Sequence, residues 1–337
     1  MTRLLSLDVF RGITMLLLIS HGFGIYEAYR NPQFEHAEWV GCTLWDLIQP
    51  AFTFIVGVAM PLALRKRTQA FRHVIWRAFA LIVLSNILSN FGKAPDKPLK
   101  LQFINVLCQI AFSYVMCYGI MQLPFRTQAV VAALILVIHN GLFFLTPGGF
   151  DPVANYAAAV DRAVIGYNYS GYYTTLNFLG NGITVLFGVW TGLLLEHEPD
   201  SGRRLRVLVL SAAAAFAVGL ALAPWIPMVK RLWTASFTFF SAGWVPLFFA
   251  LCYWLIEVLQ WRGRWTFVAS VIGANSIFIY SFSQVLSGWL SRGIANFDGN
   301  KFAFLGPGGA VPHYLLVMFA MWGLCCWLYQ RRIFFKV

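Results

Sequence analysis

Ten apolar stretches of roughly 20 residues constrain the fold of this chain more than any other feature. They lie at about 4–25, 41–64, 72–92, 101–121, 127–146, 174–195, 205–228, 232–258, 267–290 and 311–330. A stretch of this length can cross the hydrocarbon core of a bilayer as an α-helix. Of the 337 residues, 59% are hydrophobic and 11% are charged, whereas soluble proteins carry about 25% charged residues. The composition excludes an ordinary cytosolic enzyme. It predicts an all-α, polytopic integral membrane helix bundle of about ten transmembrane helices, forming one domain over 1–337.

The distribution of Lys and Arg predicts the orientation of these spans. Alternating the loops between the two sides of the membrane puts 15 basic residues on the side of the N-terminus and nine on the other side. Because cytoplasmic loops are enriched in Lys and Arg, we expect both termini in the cytoplasm. The first window follows Arg3 as a signal peptide would, but Asp8 and Arg11 interrupt it, and we predict an uncleaved span.

The net charge of +12 is explained by these loops, since no basic run is interleaved with stacking aromatic residues. We therefore expect no nucleic-acid partner. The six cysteines all fall in apolar stretches, and the adjacent Cys325 and Cys326 lack the C-x-x-C spacing of a zinc or redox site. No histidine pair stands four residues apart on a helix, as metal-binding helices often have. We predict that the cysteines pack as small apolar residues and that no metal is bound.

Charged side chains inside the apolar windows are costly, at roughly 2.5–3.5 kcal/mol for Asp or Arg at a helix centre on insertion scales. Asp8 and Arg11 stand three residues apart, on one helical face, where they can neutralise each other. A structural ion pair near the cytoplasmic surface fits this spacing as well as a role in binding does, and Arg11 would also suit a phosphate-bearing ligand. Asp46, in the second window, must face the bundle interior or a wet cavity. It would serve there as a proton carrier, a ligand contact or a buried hydrogen-bonding group.

The densest group of reactive side chains lies between the first two windows, in the segment ISHGFGIYEAYRNPQFEHAEWVG. The charge distribution places it at the outer membrane surface. Ser20 and His21 begin this segment, and His36 stands near its end between Glu35 and Glu38. Two histidines beside carboxylates favour proton-transfer chemistry, although a single histidine is more often structural. His36 is the better candidate, because neighbouring carboxylates favour an imidazolium and can orient the ring.

Uncharged polar residues recur inside the other windows. Such groups commonly join membrane helices, and several that converge on one cavity would equally line the path of a polar ligand. They are Asn86, Asn90, Asn105, Gln109, Asn177, Asn181, Asn275, Ser276, Ser281, Ser283 and Gln284. Two long outer connections, 147–173 and 291–309, are rich in Gly, Asn and Tyr. Loops of this size are often lids or binding loops, and their aromatic residues suit sugar rings as well as an interfacial belt.

Five segments carry motifs that occur together in one known family. RLLSLDVFRGITMLLLI at 3–19 is followed by HAEWVGCTLWDLIQPAFTFIVGVAM at 36–60, which contains the pattern H-A-x-W-x-G-x-T-x-x-D-L. IPMVKRLWTASF at 226–237, GANSIFIYSF at 273–282 and WLYQRRIFFKV at 327–337 follow. In this order they resemble the heparan-alpha-glucosaminide N-acetyltransferase family, including its bacterial relatives among the transmembrane acyltransferases. The soluble lumenal domain of the animal enzyme has no counterpart in this sequence.

The resemblance implies an enzyme of the bacterial inner membrane that takes acetyl-CoA from the cytoplasm and acetylates the amino group of a terminal glucosamine-like sugar. The family's catalytic histidine opens the H-A-x-W segment and corresponds to His36, which the charge distribution independently places outside. Two departures are visible. The asparagine that works beside this histidine in the animal enzyme falls near Ser20 or His21. The family's G-V-L-Q-R reads NVLCQ here, with Gln109 in place of the arginine, which bears on CoA binding.

On this resemblance we expect His36 to act as general base or acyl-accepting nucleophile. Asp46 would orient it or tune its basicity, and Ser20, His21 or Asn275 would donate a hydrogen bond to the oxyanion. The residues expected to contact acetyl-CoA are Asp8, Arg11, Gln109, Lys230, Arg231, Asn275 and Ser276. The expected partners are an amino-sugar or glycan acceptor and membrane lipid, and the sequence leaves a homodimer open.

Two other functional classes compete with this interpretation. A membrane transporter of amino sugars or related solutes is the alternative, although the chain lacks the internal repeats of many transporters. A structural or assembly subunit would leave the His-Glu cluster and the intramembrane Asp46 without a role.

Overall fold

A computed structural model describes residues 4–64, 69–93, 98–298 and 301–335, and over these residues the protein is helical and contains no β-strand. Arg3, Arg65, Lys66, Arg67 and Lys336, which contributed to the predicted orientation, lie outside the described residues. The α-helices are α1 (Leu5–Ile19), α2 (Ile25–Tyr29), α3 (Ile48–Leu64), α4 (Ala70–Asn90), α5 (Val106–Ile120), α6 (Phe125–Leu145), α7 (Tyr156–Ile165), α8 (Phe178–His197), α9 (Ser201–Leu222), α10 (Ala235–Tyr253), α11 (Arg264–Ala274), α12 (Ser276–Asp298) and α13 (Ala310–Gln330).

The helices confirm a membrane helix bundle, but not the predicted number of spans. Among the described residues, seven helical segments are long and apolar enough to cross a membrane. Two bent pairs, α1 with the helices to Tyr29 (48°) and α11 with α12 (73°), raise the number to nine if each pair is one span. α5 fills the remaining predicted window with 15 residues. At 1.5 Å per residue it is about 22 Å long, short of a hydrocarbon core of about 30 Å.

The chain divides into two compact units. The terminal unit comprises Met1–Ala37, Thr43–Ile48 and Phe249–Val337. The central unit comprises Glu38–Cys42 and Gln49–Phe248. Each unit is described below by itself.

In the terminal unit, α1 and α11 cross at two glycines. A Cβ added to Gly12 would lie 1.8 Å from the carbonyl oxygen of Ala269, and a Cβ added to Gly273 would lie 2.3 Å from that of Asp8. Glycine lets membrane helices approach until their backbones touch. After α1 the chain turns through four consecutive left-handed residues, His21 to Gly24, whose φ values lie between 47° and 65°. Two of the four are not glycine, and such conformations usually persist only where surrounding structure enforces them.

In the central unit, α3 and α8 meet in the same way. A Cβ on Gly57 would lie 1.9 Å from the carbonyl oxygen of Val185, and one on Gly188 would lie 2.2 Å from that of Phe54. The core around this crossing is apolar and fully buried. Its members include Met60, Leu64, Val74, Tyr114, Cys117, Ile183, Leu186 and Val189.

The structure departs from the predicted loops at three places. The outer connection 147–173 contains α7, because Asn155 caps the helix by accepting from the backbone N–H of Ala158 at 2.8 Å and one face of the helix is buried. The second connection begins later than predicted, since α12 continues to Asp298. Arg72 and Arg77, predicted to belong to a cytoplasmic loop, lie inside α4. The six cysteines are free thiols, in agreement with their predicted role in packing.

The close crossing of α3 and α8 generates a stability prediction. Gly57→Ala places a methyl group against backbone that cannot move aside, and we expect it to lower the free energy of unfolding by about 1–3 kcal/mol. The control is Gly141→Ala in α6, where an added Cβ meets nothing within 4 Å. It should be neutral or slightly stabilising, because alanine favours helix over glycine. Thermal unfolding of both purified variants in detergent measures the difference in stability. Equal unfolding midpoints for the two variants would contradict the close backbone contact between α3 and α8.

Candidate active site

The central feature of the terminal unit is a histidine paired with a buried carboxylate. His36 Nδ1 lies 2.8 Å from Asp46 Oδ1. The side chain of Asp46 is 2% exposed, whereas that of His36 is 40% exposed. One partner is therefore held inside the protein while the other reaches an accessible surface.

Asp46 is fixed by its second carboxylate oxygen. The backbone N–H of Thr43 donates to Oδ2 at 3.1 Å, and that of Ala37 donates at 3.2 Å. The hydroxyl of Thr43 lies 3.1 Å from the same oxygen. A buried carboxylate needs such compensation, because an unpaired charge in an apolar surrounding is very costly. These bonds fix the direction in which Oδ1 faces His36.

The local sequence explains why two residues ten apart in the chain meet. The segment Trp45–Leu47 forms a short 3-10 turn just before α3, and Asp46 occupies its centre. The loop that precedes it is closed by the Thr43 hydroxyl, which donates to the carbonyl of Glu35 at 2.8 Å. The backbone N–H of Leu44 donates to Gln33 Oε1 at 3.0 Å. The conformation of this loop is therefore specified by its own polar residues.

The pairing defines the chemistry of the ring. With Nδ1 donating to a carboxylate, the basic nitrogen of a neutral imidazole is Nε2. This arrangement orients the ring and stabilises the imidazolium that forms when Nε2 takes a proton. The sequence offered two sources of orientation, the neighbouring Glu35 and Glu38 and, from the family resemblance, Asp46. The ring pairs with Asp46, and the Glu35 carboxylate accepts from the backbone N–H of His36 at 3.0 Å.

The other predicted site residues of the terminal unit occupy separate surroundings. The hydroxyl of Ser20 is buried and donates to the carbonyl of Leu17 at 2.7 Å. His21 is exposed, with its ring centroid 5.9 Å from that of Tyr314. The buried amide of Asn275 binds the C-terminal segment, because it donates to the carbonyl of Ile333 at 3.0 Å and accepts from the N–H of Phe335 at 3.1 Å. Ser276 begins α12.

Asp8 and Arg11 form the predicted pair on one face of α1, with Arg11 Nη1 3.8 Å from Asp8 Oδ1. Asp8 is buried, and its carbonyl lies where α1 crosses α11 at Gly273. This geometry fits the structural role that the spacing suggested.

The central unit contains a column of polar residues along α5. Gln49 Nε2 donates to Gln109 Oε1. Gln109 Nε2 in turn donates to the carbonyl of Ile104. One turn further along α5, the hydroxyl of Ser113 accepts from Asn181 Nδ2 at 3.1 Å. The Oδ1 atoms of Asn177 and Asn181 are buried and have no hydrogen-bond partner in the described part of the chain. The predicted Lys230 is also buried, 7% exposed.

An arginine that the sequence placed in a loop stands beside this column. Arg77 lies seven residues into α4, with its guanidinium 4.9 Å above the ring of Tyr114 on α5. Its Nε is buried and makes no hydrogen bond to any described residue. The signal that could have located it was its position inside the apolar window 72–92.

A cavity of about 440 Å³ opens at the end of the central unit where α3 ends and α4 begins. Its walls are Pro61, Leu64, Ala70, Tyr118, Met121, Gln122, Leu193 and His197. Tyr118 stands one helical turn from Tyr114. The cavity, the stacked arginine and the polar column therefore follow one another along α5.

The segment 150–175 carries two carboxylates that bind backbone amides. The N–H of Thr175 donates to Asp161 at 3.0 Å, although burial raises the pKa of this carboxyl above its ordinary value. The N–H groups of Ala154 and Val153 donate to Asp151 and lower its pKa. Both acids stabilise the fold of this segment.

Comparison with known proteins agrees with the motifs of the site. The family model described as heparan-alpha-glucosaminide N-acetyltransferase, catalytic, matches residues 3–216, which include the His36–Asp46 pair. The human protein named heparan-alpha-glucosaminide N-acetyltransferase is 25% identical over 418 aligned positions, and the mouse protein of that name is 23% identical over 413. Each alignment covers 99% of this chain and 60% of the relative, so the chain spans about 60% of the length of these relatives. The chain belongs to the family defined by the catalytic region of heparan-alpha-glucosaminide N-acetyltransferase.

Proposed function

We propose that this protein is an integral membrane N-acetyltransferase of a bacterial inner membrane. It moves the acetyl group of cytoplasmic acetyl-CoA to the amino group of a glucosamine-like sugar at the outer face. The observation that carries the proposal is the His36–Asp46 pair, 2.8 Å apart, which occupies the family's H-A-x-W and D-L positions.

The chemistry requires a base beside the acceptor. An amino-sugar ammonium must lose a proton before its nitrogen can attack a thioester, and a histidine suits this task near neutral pH. The ammonium first releases one proton to solvent, which gives the neutral amine. As the new N–C bond forms at the acetyl carbonyl, Nε2 of His36 takes a second proton from the same nitrogen, and the C–S bond breaks. The CoA thiolate then takes this second proton from the imidazolium. Asp46 stabilises the imidazolium throughout. A variant of this route, in which Nε2 accepts the acetyl group first, uses the same pair.

The central unit supports the proposed entry of the donor from the cytoplasm. The cavity lies at helix ends that the charge distribution predicts to be cytoplasmic, and it is lined by Leu64 and Ala70. Deeper along α4, the guanidinium of Arg77 would meet a phosphate oxygen with charge-assisted hydrogen bonds.

The polar column supports the passage of a flexible arm that contains amides. The Oδ1 atoms of Asn177 and Asn181 are buried hydrogen-bond acceptors without a partner among the described residues. Such atoms normally find a donor in a working protein. The two amide N–H groups of the pantetheine arm are donors of the required kind.

Replacing the proposed base tests the function directly. Purified wild-type protein should transfer label from acetyl-CoA to glucosamine, and His36→Ala should reduce this rate by more than about a hundredfold. The control is His313→Ala, which removes a histidine that binds the hydroxyl of Ser291 and should leave the rate within about twofold. Undiminished transfer by His36→Ala would exclude the assigned role, and the absence of transfer by the wild type to any amino sugar would exclude the function.

Replacing the orienting carboxylate separates chemistry from binding. In Asp46→Asn the amide can donate to Nδ1, which places the ring proton on Nε2 and removes the base. We expect kcat to fall at least about a hundredfold, as the wrong tautomer does in related dyads, with the KM for acetyl-CoA unchanged. Steady-state kinetics, with thermal unfolding to confirm the fold, check this. A raised KM at normal kcat would instead place Asp46 in donor binding.

The proposed route of acetyl-CoA predicts an effect on KM rather than on kcat. Arg77→Gln removes a cation that would contact phosphate, so the KM for acetyl-CoA should rise about tenfold while kcat changes little. Arg72→Gln, on the exposed side of the same helix, is the matched control and should leave both constants near wild type. If the two variants behave alike, the donor does not bind beside Arg77.

A further inference from the structure

The end of α13, in the terminal unit, is closed by an arginine at a position that favours glycine. The backbone N–H of Arg332 donates to the carbonyl of Tyr329 at 3.0 Å. The N–H of Ile333 donates to the carbonyl of Leu328 at 2.9 Å. These two bonds form a Schellman motif, in which the first residue beyond the helix adopts the left-handed conformation. Arg332 adopts it with a φ of 57°. Glycine takes this conformation without steric cost, so the turn itself does not require the arginine side chain.

The segment that follows this turn is held by a buried amide. Asn275, at the break between α11 and α12, donates to the carbonyl of Ile333 at 3.0 Å and accepts from the N–H of Phe335 at 3.1 Å. The ring of Phe335 stacks on that of Phe278 in α12, with the centroids 5.0 Å apart. Asn275 is fully buried, and releasing either bond would leave a buried polar group unpaired. The backbone is therefore fixed on both sides of Arg332.

Aromatic contacts join the same segment to α11. The ring centroid of Tyr329 lies 5.9 Å from that of Phe267 in α11 and 5.8 Å from that of Phe334. Arg264 begins α11 and stands three residues before Phe267. Residues three apart are neighbours on the surface of a helix. Arg264 therefore lies about one helical turn from the contact between α11 and the end of α13.

These contacts assemble a basic and aromatic surface from two parts of the terminal unit. We call it the C-terminal patch, and it consists of Arg264, Arg331, Arg332, Phe334 and Phe335. All five residues are exposed. Within the described part of the chain, the three guanidinium groups make no hydrogen bond or ion pair. The patch therefore carries three positive charges beside exposed apolar rings.

The neighbouring acid does not neutralise the patch. Glu257 precedes α11 and accepts from Arg262 Nη2 at 2.9 Å. Its other carboxylate oxygen, Oε1, accepts from the backbone N–H of Ser6 at 3.0 Å. Both oxygens of this carboxylate are thus occupied, and the charge of Glu257 is already paired with Arg262. An anion that pairs with the arginines of the patch has to come from outside the chain.

Two exposed tryptophans indicate how deep the patch lies in the membrane. Trp327 is in the last turn of α13, and Trp261 stands three residues before Arg264. Tryptophan side chains favour the boundary between acyl chains and headgroups. The patch is therefore expected at the level of the headgroups, on the side that the charge distribution predicts to be cytoplasmic. Basic side chains at this level attract anionic lipids.

We propose that the C-terminal patch binds the headgroup of an anionic phospholipid in the cytoplasmic leaflet. The phosphodiester oxygens accept charge-assisted hydrogen bonds from Arg331 and Arg332, and Arg264 adds a third positive charge. The acyl chains of the lipid contact the rings of Phe334 and Phe335. A soluble phosphate would meet the same guanidinium groups but would leave these exposed rings without an apolar partner, whereas a phospholipid satisfies both. The inference is independent of the proposed transferase function.

Lipid binding to the full-length protein tests the patch. Native mass spectrometry of protein in detergent, titrated with phosphatidylglycerol or phosphatidylcholine of identical acyl chains, measures the affinity for the first bound lipid. We expect phosphatidylglycerol to bind at least about tenfold more tightly, since each arginine near the headgroup contributes about fivefold. The double variant Arg331→Gln, Arg332→Gly should lose this preference while phosphatidylcholine binds as before. Glycine at 332 suits the left-handed turn, and thermal unfolding verifies that the fold is kept.

Two further variants accompany this measurement. Arg332→Gly alone removes one guanidinium at a position where glycine is favoured, and it should reduce the preference about fivefold. It tests the patch even if the double variant is unstable. Arg292→Gln is the control, because this exposed arginine of α12 lies in the same unit but on the side predicted to be outside. It should keep the wild-type preference.

The possible outcomes decide between headgroup recognition and its alternatives. Equal binding of the two lipids by the wild type, or an unchanged preference in both patch variants, would overturn the proposal. Equal loss of both lipids in the patch variants would show damage to the apolar surface and would likewise contradict headgroup recognition. Displacement of phosphatidylglycerol by glycerol 1-phosphate at the same concentration would assign the arginines to a soluble phosphate instead of a lipid. None of these measurements involves acetyl transfer, so their result leaves the proposed function to its own tests.

Discussion

The compensation of buried charge is the constraint on which the functional parts of this protein depend. Asp46 stands at the start of a membrane-spanning segment, where an ionised carboxylate is stable only if its oxygens are occupied. Two backbone N–H groups donate to one oxygen, and a histidine binds the other. The same bonds that make the charge tolerable set the orientation of the imidazole. The stability of the buried charge and the orientation of the ring therefore depend on one set of contacts in the loop that precedes α3.

The two arginines of the central unit show another way to hold a cation. Arg77 and Arg231 both lie against aromatic rings, at 4.9 Å from Tyr114 and at 5.9 Å from Trp39. Stacking on a ring stabilises the positive charge without an acid beside it. An acid in the same place would neutralise the charge and block the donors. Stacked arginines thus suit sites that receive an anionic ligand.

The periodic features of the sequence predicted much of the fold, and single residues predicted much less. Each apolar window contains a helix, because satisfying the backbone in lipid leaves few alternatives. The apolar windows do not predict α7, because a helix of ten residues is too short and too polar to form such a window. Its start depends on the Asn155 cap. The positive-inside rule places Arg77 in a loop because the rule counts charges and takes no account of the stacking of Arg77 on the ring of Tyr114. Of the carboxylates that the sequence offered as partners of the His36 ring, Asp46 contacts it, whereas Glu35 binds the backbone N–H of His36.

The sequence by itself determined that the chain lies in a lipid bilayer, that it is helical and to which family it belongs. Apolar content and the order of motifs are properties of the chain alone. It also identified His36, Asp46 and the Asp8–Arg11 pair as the residues to follow. Only the tertiary structure decided that His36 Nδ1 faces Asp46 and that Asn275 binds the C-terminal segment. It alone decided that Arg231 lies between the rings of Trp39 and Tyr173. Such pairings depend on turn geometry and on contacts between segments more than a hundred residues apart, and no local pattern encodes them.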